Sequence, residues 1–161
     1  KITVIYYDRS GSTRSMAEAI GAGAKEAGAT VELKHSDKAT IDDLKNADGI
    51  ILGSPTYYGL PAPEILRLIE DSVRCHGALE GKVGGAFSSA ANVGGGNETT
   101  IMALIQTMLV HGMIIQGNPV GDHYGPVSLA SPDSRAKAAC KAYGARVAEL
   151  TARLHDTGNE D

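Results

Sequence analysis

Residues 2–15 read ITVIYYDRSGSTRS, and this stretch decides the fold class. Its first part, residues 2–7, is β-branched and aromatic and is apolar on both faces, which is typical of a buried strand in a parallel sheet. A short polar loop follows, and the apolar spacing then predicts a helix over residues 13–27 that ends at Gly28. A buried strand that enters a helix through a short polar loop is the first half of a strand–helix–strand unit.

The rest of the chain alternates in the same way. Further strands are predicted at residues 30–34, 49–53, 83–88 and 113–116. Further helices are predicted to open at residues 61–64, to cover residues 101–109 and to follow a cap at residues 131–133. The residues of the helix after Pro61 predicted to face inward are Ile65, Leu66, Ile69 and Val73. Strands that alternate with helices predict an α/β fold, a doubly wound five-stranded parallel sheet with helices on both faces.

The polar and apolar alternation at residues 30–34 predicts an edge strand. No internal repeat or linker interrupts the chain, so we predict a single domain over residues 1–161. The polar tail from Asp156 is predicted to fray.

Composition and charge exclude several classes of protein. The chain has 15 Lys and Arg against 19 Asp and Glu, so its net charge of −4 lacks the basic footprint of a nucleic-acid binder. It has no apolar run near the ~18–20 residues of a membrane span and no signal-peptide pattern. Its 2 cysteines are far apart and form no CxxC motif, which favours a reducing compartment. We therefore expect a cytoplasmic globular protein without membrane insertion.

The first loop, residues 8–15, combines hydroxyls, a glycine and a helix N-terminus. Backbone N–H groups at such a helix start, together with its dipole, favour a phosphate. The loop lacks GxxxxGK[ST] and GxGxxG, so it is neither a nucleoside-triphosphate loop nor a dinucleotide fingerprint. The alternative interpretation is that Ser12 or Thr13 only caps the helix.

Two more loops follow the third and fourth predicted strands. Residues 54–61 place Tyr57 and Tyr58 side by side, which suggests a stacking platform for a planar ring. Residues 88–98 are small and contain three consecutive glycines, so their amides can approach a flat heterocycle closely. The alternatives are tyrosines that cover the edge of the core and a merely flexible loop. Ligands of doubly wound sheets bind at this carboxyl edge.

Several stretches carry a resemblance to a known family. They are YDRSGSTRSMA (7–17), GSPTYYG (53–59), FSS (87–89), GGGNETT (94–100), LVHGM (109–113) and HYGP (123–126). With these the chain resembles the flavodoxin-like superfamily and, within it, the WrbA-type NAD(P)H:quinone oxidoreductases. The resemblance implies the strand order 2-1-3-4-5.

The resemblance also implies an FMN site. The implied phosphate-loop residues are Ser10, Gly11, Ser12 and Thr13. The implied isoalloxazine loop is Pro55, Thr56, Tyr57, Tyr58 and Gly59. The implied third flavin loop is Ser88, Ser89, Ala90, Ala91, Asn92 and Gly95, and the implied flavin-site histidine is His111. NADH or NADPH is the implied co-substrate and a quinone or similar small molecule the electron acceptor. Neighbouring subunits complete the site in this family, which implies a homo-oligomer, a dimer or tetramer.

The chain departs from the family in three places. Asp8 stands where a Ser or Thr is usual, and a carboxylate about 4 Å from a phosphate costs about 4 kcal/mol at an effective dielectric of 20. Asp8 therefore turns away, is offset by Arg9 or Arg14, or weakens binding. The connection between the second and third strands is short, and the chain contains no Trp where the quinone reductases carry one near the substrate.

Other proteins of similar architecture do not fit. A receiver domain needs an Asp at the end of the third strand, where this chain has Ser54 and Pro55. A low-molecular-weight tyrosine phosphatase needs a Cys in the first loop, and residues 8–15 contain none. The five histidines are scattered, so no metal site is expected.

Two functions remain. One is an enzyme in which NAD(P)H reduces FMN by hydride transfer and FMN then reduces a small acceptor. The other is a flavodoxin-type carrier that passes single electrons between partner proteins.

Overall fold

The computed structural model describes residues 1–155. Its strands are β1 (Ile2–Tyr6), β2 (Val31–His35), β3 (Gly49–Tyr57), β4 (Leu60–Pro61), β5 (Val83–Ala90), β6 (Ile114–Ile115) and β7 (Val127–Leu129). Its α-helices are α1 (Ser12–Glu26), α2 (Ile41–Lys45), α3 (Pro63–Asp71), α4 (Asn97–Val110) and α5 (Ser134–His155). The tail predicted to fray from Asp156 lies outside the described residues.

The strands form one sheet in the order β2-β1-β3-β5-β6, with parallel pairing along that path. The fourth and fifth predicted strands correspond to β5 and β6, because the short hairpin strand β4 was not predicted. The structure therefore confirms the doubly wound α/β fold and the strand order 2-1-3-4-5. β2 is an edge strand, as its alternation predicts. β4 pairs antiparallel with β3, and β7 pairs parallel with the end of β5.

The sequence missed α2, β4 and β7, all of which are short. The fifth predicted strand, residues 113–116, is only Ile114–Ile115 in the structure, and it shares the position beside β5 with β7. β6 pairs with the start of β5 and β7 pairs with its end, and residues 116–126 leave the sheet between them. A strand split in this way has no continuous period-two pattern, so its second half is invisible to sequence periodicity.

Two strands are longer than predicted. β3 continues to Tyr57 and β5 to Ala90, so residues expected in loops belong to the sheet. Their pairing explains the extension, because the ladder continues with Ser54 opposite Ser88 and Pro55 opposite Ser89. Small hydroxyl residues and proline are not strong strand formers, so the sequence predicts that both strands end earlier. In the structure, pairing between β3 and β5 extends both strands through these residues.

The inward face of α3 differs from the prediction. Ile65 is fully buried and Ile69 partly buried, as predicted, but Leu66 is 39% exposed and Val73 is 72% exposed. The buried residues on this face are instead Leu68 and Ser72. Val73 lies beyond the helix in a 3₁₀ turn, Ser72–Cys75, where the α-helical spacing no longer applies.

Two apolar clusters cover the two faces of the sheet. One is built with α1 and α5 and includes Ile20, Val147 and Phe87. The other is built with α3 and α4 and includes Ile65 and Leu104. No helix within residues 1–155 is both long and apolar enough to cross a membrane.

Glycines let α1 and α5 approach each other closely. A Cβ at Gly23 would overlap the backbone carbonyl of Lys141, and a Cβ at Gly144 would overlap the carbonyl of Ile20. Each helix thus offers a glycine to the backbone of the other. This reciprocal contact holds both helices tight against one face of the sheet.

We expect Gly23→Ala to destabilise the protein by about 1–3 kcal/mol, because a backbone atom cannot yield to the added methyl group. A helical Gly→Ala change otherwise stabilises by ~1 kcal/mol. The matched control is Gly21→Ala on the same helix, where the added Cβ meets side chains alone, the flexible end of Leu33 at 2.8 Å and Val31 at 3.5 Å. Denaturant unfolding checks the difference. Equal stability of the two variants would contradict the close helix contact.

Candidate functional site

The loops at the carboxyl edge of the sheet surround one open cleft of about 690 Å³. Its walls come from the β1–α1 loop, the end of β3, the end of β5 and the β7–α5 connection. The residues that line it are Arg9, Ser10, Ser12, Pro55, Thr56, Tyr57, Ser89, Ala90, Ala91, Ala130 and Ser131. Three loops that are far apart in the sequence therefore meet at one site, as the fold class predicts.

The β1–α1 loop presents an open helix N-terminus. Gly11 precedes α1 with φ 94°, a left-handed conformation that favours glycine, and neither Ser12 nor Thr13 caps the helix with its side chain. The interpretation in which Ser12 or Thr13 only caps the helix is therefore wrong. Within residues 1–155, the amides of Ser12 and Thr13 have no hydrogen-bond acceptor. The Thr13 hydroxyl lies 2.9 Å from the Ser89 hydroxyl and links this loop to β5.

Asp8 bonds to the amides of its own loop. Its carboxylate accepts from the Gly11 amide at 2.8 Å and from the Arg14 amide at 3.2 Å. Of the alternatives left open by the sequence, the structure supports the one in which Asp8 is turned onto the loop backbone. The carboxylate satisfies an amide in the first turn of α1 and braces the loop around Gly11.

We expect Asp8→Thr to lower the stability of the protein or its affinity for FMN, because the Gly11 and Arg14 amides lose a charged acceptor. Each such bond contributes about 1 kcal/mol at an exposed site. Thermal unfolding and FMN titration at two salt concentrations check this. Asp8→Asn removes the charge but keeps an acceptor oxygen. Glu18→Gln is the control, because it removes one carboxylate charge from α1 and leaves the loop unchanged. Tighter FMN binding by Asp8→Thr, with a gain that shrinks as salt rises, would show instead that Asp8 opposes the phosphate.

The second loop is a hairpin between β3 and β4. Both residues of its turn have positive φ, 52° at Tyr58 and 79° at Gly59, as a type I′ hairpin requires. Tyr57 lines the cleft, whereas Tyr58 projects from the tip with its side chain fully exposed. Two side-chain bonds hold the base of the hairpin, from Thr56 Oγ1 to Ser88 Oγ at 2.8 Å and from the Ala62 amide to Ser54 Oγ at 2.8 Å.

We expect Tyr58→Asn to stabilise the protein by about 1 kcal/mol, since a left-handed conformation costs an ordinary residue roughly 1–2 kcal/mol and Asn tolerates it better. Thermal unfolding measures the gain. Tyr124→Asn is the matched control, an exposed tyrosine whose φ is not positive. The idea of backbone strain at the tip fails if both substitutions have the same effect.

The third loop follows β5 and leads into α4. Ser88 is buried, Ser89, Ala90 and Ala91 line the cleft, and Asn92 is exposed. The Gly95 amide donates to the Asn92 carbonyl at 3.1 Å, which closes a tight turn. At the start of α4, the side-chain amide of Asn97 donates to the carbonyls of Ser88 and Ser128, both at 3.2 Å.

The sequence did not assign three of the lining residues to the site. Ala130 and Ser131 enter through the β7–α5 connection, which was missed together with β7, and Ala130 has φ 52°. Arg9 was considered only as a partner of Asp8. Of the described residues that line the cleft, Arg9 alone carries a formal charge. The position at the carboxyl end of a fifth strand was the signal that could have found the other two.

The structure places His111 away from the cleft of its own chain, so its implied role at a flavin stays a prediction. α4 starts beside the hairpin, and its 14 residues carry the chain about 20 Å to the opposite end of the sheet. There the His111 Nε2 lies 2.8 Å from Ser72 Oγ, and its ring lies 5.7 Å from that of His76. Burial lowers the pKa of His111, and His76 lowers it further.

Tyr7 flanks the site on the side of β2. Its amide donates to the Gly53 carbonyl at 3.1 Å, and its ring lies 5.5 Å from that of His35. Partial loss of hydration raises the pKa of Tyr7, and the nearby Glu64 and Tyr57 side chains raise it further. Tyr7 is therefore a neutral phenol at neutral pH. Among residues 1–155, no group of three or more His, Cys, Asp or Glu side chains is placed to hold a metal ion.

A parallel sheet with a helix N-terminus and two further loops at its carboxyl edge is the arrangement of a doubly wound α/β protein, in which ligands bind at that edge. Comparison with known proteins agrees with this class. The family profile "Flavodoxin domain" matches residues 3–91. The chain belongs to the flavodoxin family, whose members with solved structures include close matches to this fold.

The relatives carry two kinds of name. A flavodoxin of Aquifex aeolicus (strain VF5) is 38% identical over 169 aligned positions, covering 99% of this chain and 91% of that protein. An NAD(P)H dehydrogenase (quinone) of Rhodopseudomonas palustris (strain HaA2) is 34% identical over 196 positions, covering 96% and 98%. The crystal structure of a WrbA-like flavodoxin from Agrobacterium tumefaciens superimposes with a TM-score of 0.82 at 27% identity, covering 95% of this chain and 98% of that one.

Proposed function

We propose that this protein is an FMN-dependent oxidoreductase that transfers electrons from NADH or NADPH to a quinone or a similar small acceptor. One observation carries the proposal. A single cleft joins an open helix N-terminus to a tyrosine-bearing hairpin and to a loop of small residues. Those three parts suit the phosphate, the ring and the second face of one mononucleotide.

The phosphate end of the cleft is built from α1. The unpaired amides of Ser12 and Thr13 lie at the positive end of the helix dipole, and the hydroxyls of Ser10 and Ser12 lie 3.4 Å apart beside them. These donors would hold one phosphate. Of the two helix starts at this edge that follow a left-handed glycine, only that of α1 lines the cleft, and the start of α4 carries Glu98 in its first turn. One set of donors in the cleft supports FMN over FAD. Arg9 adds a positive charge at the same wall.

The ring end of the cleft is built from β3 and β5. Tyr57, Pro55 and Thr56 form one wall, and Ala90 with Ala91 forms the other. The small side chains of the second wall let a flat heterocycle approach the backbone closely. When bound, FMN supplies a hydride-accepting nitrogen, N5, so no side-chain acid or base is needed for the hydride step. The chain's own task is to bind and orient the reactants and to exclude water.

The names of the relatives support an enzyme. Several proteins that are 33–36% identical to this chain are called NAD(P)H dehydrogenase (quinone). The cleft itself is open and almost free of charge, which suits a small uncharged acceptor. A quinone is such an acceptor, and it requires no charged partner in the site.

A second function is favoured by chain length. The alignment with the quinone reductase of strain HaA2 extends over 196 positions, whereas this chain has 161 residues. The alignment with the Aquifex flavodoxin extends over only 169. This chain therefore lacks segments that the quinone reductases carry, and it has no Trp. These observations support a flavodoxin-type carrier that exchanges single electrons with partner proteins.

We further propose that the chain is one flavodoxin-like domain that assembles into a homo-oligomer. His111 is about a helix length from the cleft of its own chain, so a role at a flavin requires the cleft of a neighbouring subunit. Both cysteines, Cys75 and Cys140, are free and buried. Unpaired thiols support a reducing compartment such as the cytoplasm.

The experiment reconstitutes the protein with FMN and with FAD, and then follows NADH and NADPH oxidation with and without benzoquinone. The enzyme predicts a preference for FMN and oxidation that depends on benzoquinone. We expect Tyr57→Ala to weaken FMN binding about two- to tenfold, through a lost stacking contact of roughly 0.5–1.5 kcal/mol. Tyr124→Ala is the matched control. Tight FAD binding without preference for FMN overturns the cofactor, and slow NAD(P)H oxidation that benzoquinone does not accelerate favours the carrier.

A further inference from the structure

The hairpin tip and the glycine loop touch each other through their backbones. A Cβ at Gly96 would lie 2.6 Å from the Gly59 Cα and 3.2 Å from the Gly59 amide nitrogen. Both residues have positive φ, 79° at Gly59 and 104° at Gly96. Side chains at these positions would force the two loops apart. The hairpin tip and the glycine loop therefore meet through a contact between two glycines, neither of which lines the cleft itself.

One hydroxyl group ties this contact together. Thr99 Oγ1 lies 2.7 Å from the Gly59 carbonyl oxygen and 3.0 Å from the Gly96 carbonyl oxygen. The single hydroxyl proton is shared between these two carbonyl oxygens. The shorter of the two contacts, to Gly59, joins residues that are 40 positions apart in the sequence. Gly59 also approaches Thr99 so closely that its own Cβ would lie 3.0 Å from the same oxygen.

Thr99 stands on a fixed base. It is the third residue of α4, and Asn97 in the same turn binds the carbonyls of Ser88 and Ser128 in the sheet. The start of α4 is therefore anchored to β5 and β7. Through Thr99 this anchor extends to the tip of the hairpin.

The other bonds described for the hairpin lie at its base. Its ladder with β3 has only two residue pairs, Thr56 with Pro61 and Tyr57 with Leu60. The Thr56–Ser88 and Ala62–Ser54 bonds also sit below the turn. The tip itself carries the strained Tyr58. A short ladder with a strained turn opens readily unless something holds its end.

We propose that Thr99 is a positioning residue whose hydroxyl latches the hairpin tip onto residues 94–96. The latch keeps the wall that carries Tyr57 at a constant distance from the wall that carries Ala90 and Ala91. The width of the cleft is then set before any ligand arrives. The consequence for FMN rests on the proposed function, whereas the latch itself is a property of the chain.

The first experiment tests the latch on the full chain without added flavin. Chymotrypsin cleaves after exposed tyrosines, and cleavage after Tyr58 reports opening of the tip when reclosing is fast. We expect Thr99→Val to raise the cleavage rate about 2- to 10-fold, as the loss of one hydrogen bond of ordinary strength predicts. Thr99→Ser should cleave at the wild-type rate. Thr107→Val is the matched control, because the Thr107 hydroxyl binds only the Leu104 carbonyl of its own helix, at 2.7 Å.

The second experiment titrates the same variants with FMN. The dissociation constant should rise by a similar factor in Thr99→Val and remain unchanged in Thr99→Ser and Thr107→Val. Wild-type cleavage and wild-type affinity in Thr99→Val overturn the latch, as does equal weakening by Thr99→Ser. If no variant binds FMN, the proposed function fails, and the cleavage rates still decide the latch. Hydrogen exchange of the hairpin amides in the wild-type chain is a further check, since a latched tip exchanges more slowly than the exposed residues Gly121, His123 and Tyr124.

Discussion

The parallel pairing of β3 with β5 is the constraint on which the site depends. It runs from Gly49 opposite Val83 to Pro55 opposite Ser89. Phe87 lies across this pair, fully buried, where a side chain at Gly53 would overlap its ring. The buried aromatic ring fixes this register. The hairpin after β3 and the glycine loop after β5 therefore leave the sheet at neighbouring positions on its carboxyl edge. The cleft between them follows from that register.

Most of the fold could be predicted because it depends on local patterns. Buried strands, amphipathic helices and the glycine at residue 28 are each visible in a short window. The site was predictable to the extent that it lies at strand ends, and eight of its lining residues were named from the loops. The remainder depends on contacts between distant segments. β7 exists only because β5 continues to Ala90, and Ala130 with Ser131 reaches the cleft only through β7.

His111 shows what a motif match leaves open. Its motif matched, but a motif does not state which end of a helix faces which cleft. The length of α4 decides that question, and it carries His111 to Ser72 at the far end of the sheet. A side chain that belongs to a site in an assembly need not belong to the same site within one chain. Only the geometry distinguishes these cases.

Asp8 and the glycine contact show two ways of preparing a site for an anion and a ring. The carboxylate of Asp8 keeps the first loop in shape by binding Gly11 and Arg14, while it leaves the amides of Ser12 and Thr13 open. An anion at those amides would meet the positive end of the helix dipole and the charge of Arg9, which lines the same cleft. The other end of the cleft has uncharged walls, and beside it the hairpin and the glycine loop are in backbone contact at Gly59 and Gly96. Shape therefore limits what enters one end of the cleft, and the balance of charge determines how firmly the other end holds it.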